Sequence, residues 1–192
     1  WSMATISKLR GRMEPGVVTG KPISLWGSKE RTAATGVGVA TCIKELLKVV
    51  GKDVTKATII IQGFGNVGTY CAVDMVNAGA KVIAISDVTG GYYCADGIDI
   101  KKAMAHVTNH PKKLLDGYEQ PGLQKMDGGE ILLLEAEVLA PCALEGAING
   151  KNADKVKAKY IVEGANGPLT PEADAILDAK GILIVPDCLA NS

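Results

Sequence analysis

A chain of 192 residues fits one domain and can bury a continuous core without disulfide or metal staples. Hydrophobic residues make up 47% and charged residues 22%, while 21 basic and 21 acidic side chains cancel, a balance with no attraction for nucleic acid or an anionic membrane surface. The five cysteines, Cys42, Cys71, Cys94, Cys142 and Cys188, are odd in number and form no C-x-x-C pair, which argues against a zinc site or a disulfide framework.

No apolar run approaches the roughly 20 residues needed to cross a bilayer. The expectation is a soluble, cytoplasmic protein with reduced thiols, no bound metal and no membrane partner.

The first strong periodicity lies at residues 32–50, where Val39, Ile43, Leu46, Leu47 and Val50 fall at helical spacing before Gly51. Apolar runs rich in β-branched residues follow at 58–62, 81–86, 137–140, 160–163 and 182–185. They are continuous instead of alternating, which suits strands buried on both faces. Helical segments are predicted between them at 65–78, 99–109, 146–153 and 171–179. The last has Thr170 as N-cap, Pro171 at the first helical position and Gly181 just beyond its end. Residues 111–129 carry Pro, Gly and charge without period and read as an irregular surface excursion. Strands alternating with helices imply an α/β fold with a mostly parallel, twisted sheet and helices on both faces.

Gly63-Phe64-Gly65-Asn66-Val67-Gly68 follows directly on the run Thr-Ile-Ile-Ile-Gln and opens the helix carrying Val67, Cys71, Met75 and Ala78. A bare G-x-G-x-x-G is weak evidence, but the strand, tight turn and helix around it are the context that a Rossmann dinucleotide site requires. Gly63 permits the turn, Gly65 bares the backbone toward a pyrophosphate, and Gly68 lets helix and strand approach. Unpaired N–H groups at the helix start bind phosphate. The next strand ends at Ser86-Asp87, about 20 residues on, where an acid bonds the adenosine ribose. Asp87 has a second reading, because the Thr89-Gly90-Gly91 that follows makes it a candidate turn cap. A carboxylate at the ribose favours NAD by repelling a 2′-phosphate, while Lys81 or a loop residue leaves NADP open.

Around this turn stand Thr19-Gly20-Lys21-Pro22, Gly27-Ser28-Lys29-Glu30-Arg31-Thr32-Ala33-Ala34-Thr35-Gly36, Ala140-Pro141-Cys142-Ala143-Leu144-Glu145-Gly146, Val162-Glu163-Gly164-Ala165-Asn166-Gly167-Pro168 and Pro186-Asp187-Cys188-Leu189-Ala190-Asn191. In this order they resemble the glutamate dehydrogenase family over nearly the whole chain. The resemblance implies that residues 1–192 are its dinucleotide-binding domain. It implies further that Thr35 contacts the nicotinamide carboxamide, Asn66 and Val67 line the phosphate turn, Ala143 approaches the ribose, and Asn166 lies near the nicotinamide end. Arg31 and Asn191 fall where that family binds its amino-acid substrate, and an arginine can present a forked pair of hydrogen bonds to a carboxylate. The bland alternatives are a cap for Thr35, a turn for Asn166 and a solvated side chain for Arg31.

The family's chemistry is hydride transfer between the α-carbon of glutamate and a nicotinamide, giving 2-oxoglutarate and ammonia. Its catalytic lysine and aspartate belong to an N-terminal domain that would precede Trp1, so no catalytic residue is assigned. A glycine-rich turn and helix would follow the Leu-Ala-Asn motif. The expectation is a fragment that binds cofactor without turnover, its own oligomeric state, monomer or larger, being left open by the sequence, from an enzyme that is a homo-oligomer, by resemblance a hexamer. Its partners are the nucleotide and, with the missing domain, an amino or 2-oxo acid. A leucine, phenylalanine or valine dehydrogenase and a non-catalytic nucleotide-binding module are the rival readings.

Two departures from the family stand near the start: Trp26 replaces a usual glycine, and Ala4 and Ile6 replace an acid and an aromatic. His106 and His110 have the spacing of paired zinc ligands without a third ligand, and a solvated helix face is the favoured reading. The lysines at 151, 155, 157 and 159 read as a solvated helix end.

Overall fold

The computed structural model describes residues 1–192, which divide into two compact units, residues 1–34 and 35–192. No helix is long and apolar enough to cross a membrane.

The smaller unit begins with α1 (Ser2–Arg10), none of whose residues is buried. Gly11 ends it in the left-handed conformation, and its N–H bonds back to Lys8. The Ser7 hydroxyl then accepts from the Glu14 amide at 3.0 Å and Arg12 Nε donates to the Glu14 carboxylate at 2.7 Å, folding the chain back on itself. Single 3₁₀ turns follow at Pro15–Val17 and Ile23–Leu25. α1 has no apolar stripe, which is why periodicity did not predict it.

The larger unit contains most of α2 (Arg31–Val49), then β1 (Thr58–Gln62), α3 (Asn66–Asn77), β2 (Lys81–Asp87), β3 (Gly90–Tyr93), α4 (Ile100–Asn109), β4 (Gln124–Met126), β5 (Val138–Pro141), β6 (Tyr160–Val162), α5 (Pro171–Ala179), β7 (Leu183–Val185) and the single-turn α6 (Asp187–Ala190). The seven strands form one sheet in the order β4-β3-β2-β1-β5-β6-β7. β2, β1, β5, β6 and β7 are mutually parallel, while β3 and β4 add an antiparallel edge.

The sheet buries both faces. On one, Ile59, Ile61, Val138, Ala140 and Val162 meet Val39, Ile43 and Leu47 of α2, Met75 of α3 and Ala103 of α4. On the other, Ile60, Leu139 and Ile161 meet Ala173 and Leu177 of α5 together with Ile131 and Leu132. Strict alternation holds along β1 and fails once in β2, where the register with β1 slips between Ile59 and Ile60. Val82 and Ile85 pack on the first face, Ile83 and Ala84 on the second. This bulge inserts one extra residue and turns the remainder of β2 over.

Three features differ from the sequence expectation. Within 111–129 the chain forms β4, paired to β3. Residues 146–153 are turns instead of a helix. There Gly146 is left-handed (φ 62), Ile148 bridges Leu169, and Asn149 and Asn152 bond to backbone groups nearby, competing with helix formation. The lysines at 151–159 accordingly flank a 3₁₀ turn at Ala153–Lys155.

Candidate functional site

β1 lies at the switch in strand order, since the chain proceeds from it to β2 on one side and later to β5 on the other. Crevices open beyond the carboxyl ends of strands at such points. Here a cavity of about 530 Å³ is lined by residues from all three strand ends, including Gln62, Gly65, Ser86, Asp87 and Ala143.

Its floor is the glycine turn. Gly63 is left-handed (φ 97), and a side chain there would also meet the Ala143 methyl at 2.8 Å. A methyl on Gly68 would overlap the Gly63 carbonyl oxygen and stand 3.0 Å from Ile61. Gly65 differs from both, because a methyl there would meet nothing within 4 Å. Its bare side faces open space, and as N-cap of α3 it provides no side chain for the unpaired N–H groups of the first turn. Those groups remain available to an anion. Asn66 is exposed, Val67 half-buried, and Phe64 buried with its ring in the core cluster.

Ser86 is buried, and its hydroxyl accepts from the Gly63 N–H at 3.3 Å, tying β2 to the turn. Asp87 fulfils its capping reading. Its Oδ1 accepts from the Thr89 N–H at 2.8 Å and the Thr89 hydroxyl at 2.5 Å, and its Oδ2 accepts from the Leu115 N–H at 2.6 Å. It nonetheless lines the cavity, as Lys113 does. Val88 and Leu144, 87% and 69% exposed, are apolar groups on the same cavity, suited to a flat ring.

Thr35 is half-buried in α2, immediately before Gly36. A methyl on Gly36 would lie 2.5 Å from the Val67 carbonyl, so α2 and α3 cross at backbone contact and Thr35 is carried toward the glycine turn. Arg31, in the smaller unit, is exposed and makes no ion pair.

A second cluster gathers past β6 and β7. The Asn191 amide donates to Asn166 Oδ1 at 2.9 Å and to the Ala165 carbonyl at 3.2 Å. Glu163, 8% exposed, accepts from the Asp187 N–H at 2.8 Å, and Asp187 accepts from the Gly167 N–H at 2.8 Å. Burial raises the Glu163 carboxyl above its usual range, partly offset by the Asp187 amide. Burial likewise pushes the Cys142 thiol, on the cavity wall, up to about 12, which keeps it protonated.

Gln62, Lys113, Glu163 and Asp187 were not singled out from the sequence. Gln62 carried a signal, as a lone amide ending an apolar strand just before Gly63. Its Oε1 is buried without a hydrogen-bond partner, although it borders the cavity. An unpaired buried acceptor is costly, and a hydroxyl or amine of a bound molecule would satisfy it. That acceptor, the uncapped α3 terminus and the open side of Gly65 together suit a nucleotide.

The family model for glutamate/leucine/phenylalanine/valine dehydrogenase matches residues 27–192. A glutamate dehydrogenase of Thermotoga maritima is 46% identical, the match covering 100% of this chain and 45% of that protein. An NADP-specific glutamate dehydrogenase of Saccharolobus shibatae is 42% identical, covering 100% and 44%. Among solved structures, the Leu-bound hetero-hexameric glutamate dehydrogenase of Thermus thermophilus superposes with a TM-score of 0.86 at 38% identity, covering 100% of this chain and 44% of that one. The chain thus spans less than half the length of these relatives.

Proposed function

Because this chain belongs to the glutamate/leucine/phenylalanine/valine dehydrogenase family, we propose that it is the dinucleotide-binding part of a glutamate dehydrogenase and holds NAD or NADP beyond β1, β2 and β5. The observation that carries this reading is the open side of Gly65 at the uncapped start of α3, on a cavity large enough for part of a dinucleotide. Glutamate is favoured over leucine, phenylalanine or valine by relatives above 40% identity that are named glutamate dehydrogenases, those of Thermotoga maritima and Saccharolobus shibatae among them.

In this reading Gly65, Asn66 and Val67 would hold the pyrophosphate, Asp87 and Ala143 the adenosine ribose, and Val88 and Leu144 the purine. Thr35 and Asn166 would orient the nicotinamide carboxamide. When bound, the nicotinamide supplies the hydride acceptor for oxidation at the α-carbon of glutamate. Arg31, with its forked donors, is a candidate for a substrate carboxylate, and Asn191 positions Asn166. No side chain of the cleft is assigned proton chemistry, so cofactor binding without glutamate oxidation is expected of these 192 residues. Hexameric assembly, by analogy with the hetero-hexameric Thermus relative, is proposed for the whole enzyme.

Asp87 favours NAD by charge, whereas Lys113 on the same cavity would offer a cation to a 2′-phosphate if its ammonium left the Thr108 carbonyl. Calorimetric titration with NAD(H) and NADP(H), on the wild type and Asp87→Ala, tests both points. Saturable binding of at least one cofactor is expected, with the NADP:NAD affinity ratio rising in Asp87→Ala. Absence of binding by all four nucleotides overturns the proposal.

A further inference from the structure

One wall of the cleft is held by a histidine instead of by regular structure. His110 stands just past the last residue of α4, and its Nδ1 accepts from two backbone N–H groups of the turn that follows, Lys112 at 3.3 Å and Leu114 at 3.2 Å. Between them Lys113 is left-handed at φ 57, and its ammonium donates to the Thr108 carbonyl. The next amide, of Leu115, donates to Asp87 Oδ2 at 2.6 Å. Lys113 and Leu114 border the cavity. The ring nitrogen thus acts beside the His110 carbonyl, which accepts from the Lys113 N–H at 2.9 Å, in holding a turn with one left-handed residue that joins the end of α4 to the lip of β2.

The hydrogen bonds define the tautomer. Nδ1 accepts only when it carries no proton, so the neutral ring is protonated at Nε2. Adding a proton at Nδ1 points a third donor at the two amides and leaves both without an acceptor. His106 stacks on the ring with centroids 5.7 Å apart, and its own Nε2 donates to the Asp116 carbonyl at 2.8 Å. Tyr118 packs edge-on against His106 at 5.8 Å, Lys112 and Lys113 belong to the turn, and Asp87 is reached through Leu115. The two lysines are donors and cannot replace the lost acceptor, and the Asp87 oxygens accept from Thr89 and Leu115 instead.

We propose that His110 is a positioning residue for the cofactor: its neutral Nδ1 holds residues 112–115 in the shape that presents Lys113 and Leu114 to the nucleotide, and its protonation releases that wall and weakens binding. The proposal rests on the reading that this cleft takes NAD or NADP. A turn populated in its binding shape only a tenth of the time raises the apparent Kd about tenfold.

The test compares wild type, His110→Ala and His110→Asn, whose side-chain oxygen can take the place of Nδ1 without titrating. Kd for NADH and NADPH is measured from about pH 8 to about pH 5, the span across which imidazole changes charge. In wild type Kd should rise roughly tenfold as pH falls. His110→Ala should bind about that much more weakly at every pH, and His110→Asn should stay tight with a flat profile. In parallel, NMR follows the Lys112 and Leu114 amides without cofactor. They should shift with imidazole protonation in wild type and stay fixed in His110→Asn. A wild-type pH dependence that persists in His110→Asn, or amides indifferent to pH, overturns the role of His110. If wild type binds neither nucleotide, the cofactor reading fails on its own, and the amides still decide whether His110 holds the turn.

Discussion

The side chains of Asn166 and Asn191 are joined by a 2.9 Å hydrogen bond, so the residue placed at the nicotinamide end is held by one that the family resemblance assigns to substrate. Asn191 also donates to the Ala165 carbonyl at 3.2 Å and thus spans the turn that carries Asn166. Asn191→Ala should cost about 1–2 kcal/mol, a loss of roughly 2–8 °C in Tm. Asn191→Asp should cost more, because a carboxylate would face two acceptors. Thermal denaturation of the three proteins checks the order; equal stability of the alanine and aspartate variants would contradict this role.

Two glycines five and two residues into the same turn should behave oppositely. Gly68→Ala drives a methyl into the Gly63 carbonyl and should destabilise by about 3 kcal/mol. Gly65→Ala meets open space at an ordinary backbone conformation (φ −82), so its stability should hold or rise by about 0.5 kcal/mol. Its cofactor affinity should nevertheless fall by about tenfold or more, the methyl standing where the pyrophosphate approaches. Calorimetry and thermal melts on both variants separate the two effects.

Trp26 stands where the family resemblance implies glycine, and its backbone is left-handed at φ 67 with the side chain 71% exposed. The indole thus occupies a conformation that costs an L-residue roughly 1–2 kcal/mol. Trp26→Gly should be more stable than Trp26→Ala by about 1 kcal/mol, since only the first relieves the backbone while both remove the ring. Urea denaturation of the pair measures the difference.

Glu163 should impose a pH dependence on stability. Its carboxyl titrates above the usual range in the folded chain because burial disfavours its charge. The folded state therefore holds a proton that the unfolded state releases first. The stabilisation is complete below the ordinary carboxylate range and is lost as pH rises through the raised value. Glu163→Gln, which keeps an acceptor for the Asp187 amide, should flatten the stability profile across that window. Denaturation from about pH 4 to about pH 7 would expose an unchanged slope if the argument is wrong.

The parallel strands were legible because Thr58–Gln62, Lys81–Asp87, Val138–Pro141, Tyr160–Val162 and Leu183–Val185 are short apolar runs. The antiparallel edge was not. Gly90–Tyr93 starts with two glycines, and Gln124–Met126 is three residues with two exposed side chains, so neither has a hydrophobic pattern of its own. Both form because the Asp87 turn delivers the chain to the open side of β2. The segment 146–153 forms turns where a helix was expected, because Asn149 and Asn152 spend their side chains on turns.

Within the site, the glycine turn, Ser86 and Asp87 could be found because their spacing is local. Lys113 and His110 could not, since their relation to Asp87 arises only when the turn after α4 reaches the end of β2 through Leu115. The same holds for Glu163 and Asp187, 24 residues apart in sequence and joined by one hydrogen bond.

Asp87 combines two tasks in one carboxylate, and this bears on how such a protein could be re-engineered or diverge. The carboxylate that lines the cavity also closes the β2–β3 turn through Thr89 and anchors Leu115. A substitution there aimed at exchanging one coenzyme for another acts on foldability at the same time. The accessible route to a new coenzyme preference therefore leaves Asp87 in place and works through neighbours without such duties, Val88 above all, or introduces a second change that restores the turn before the acid is given up.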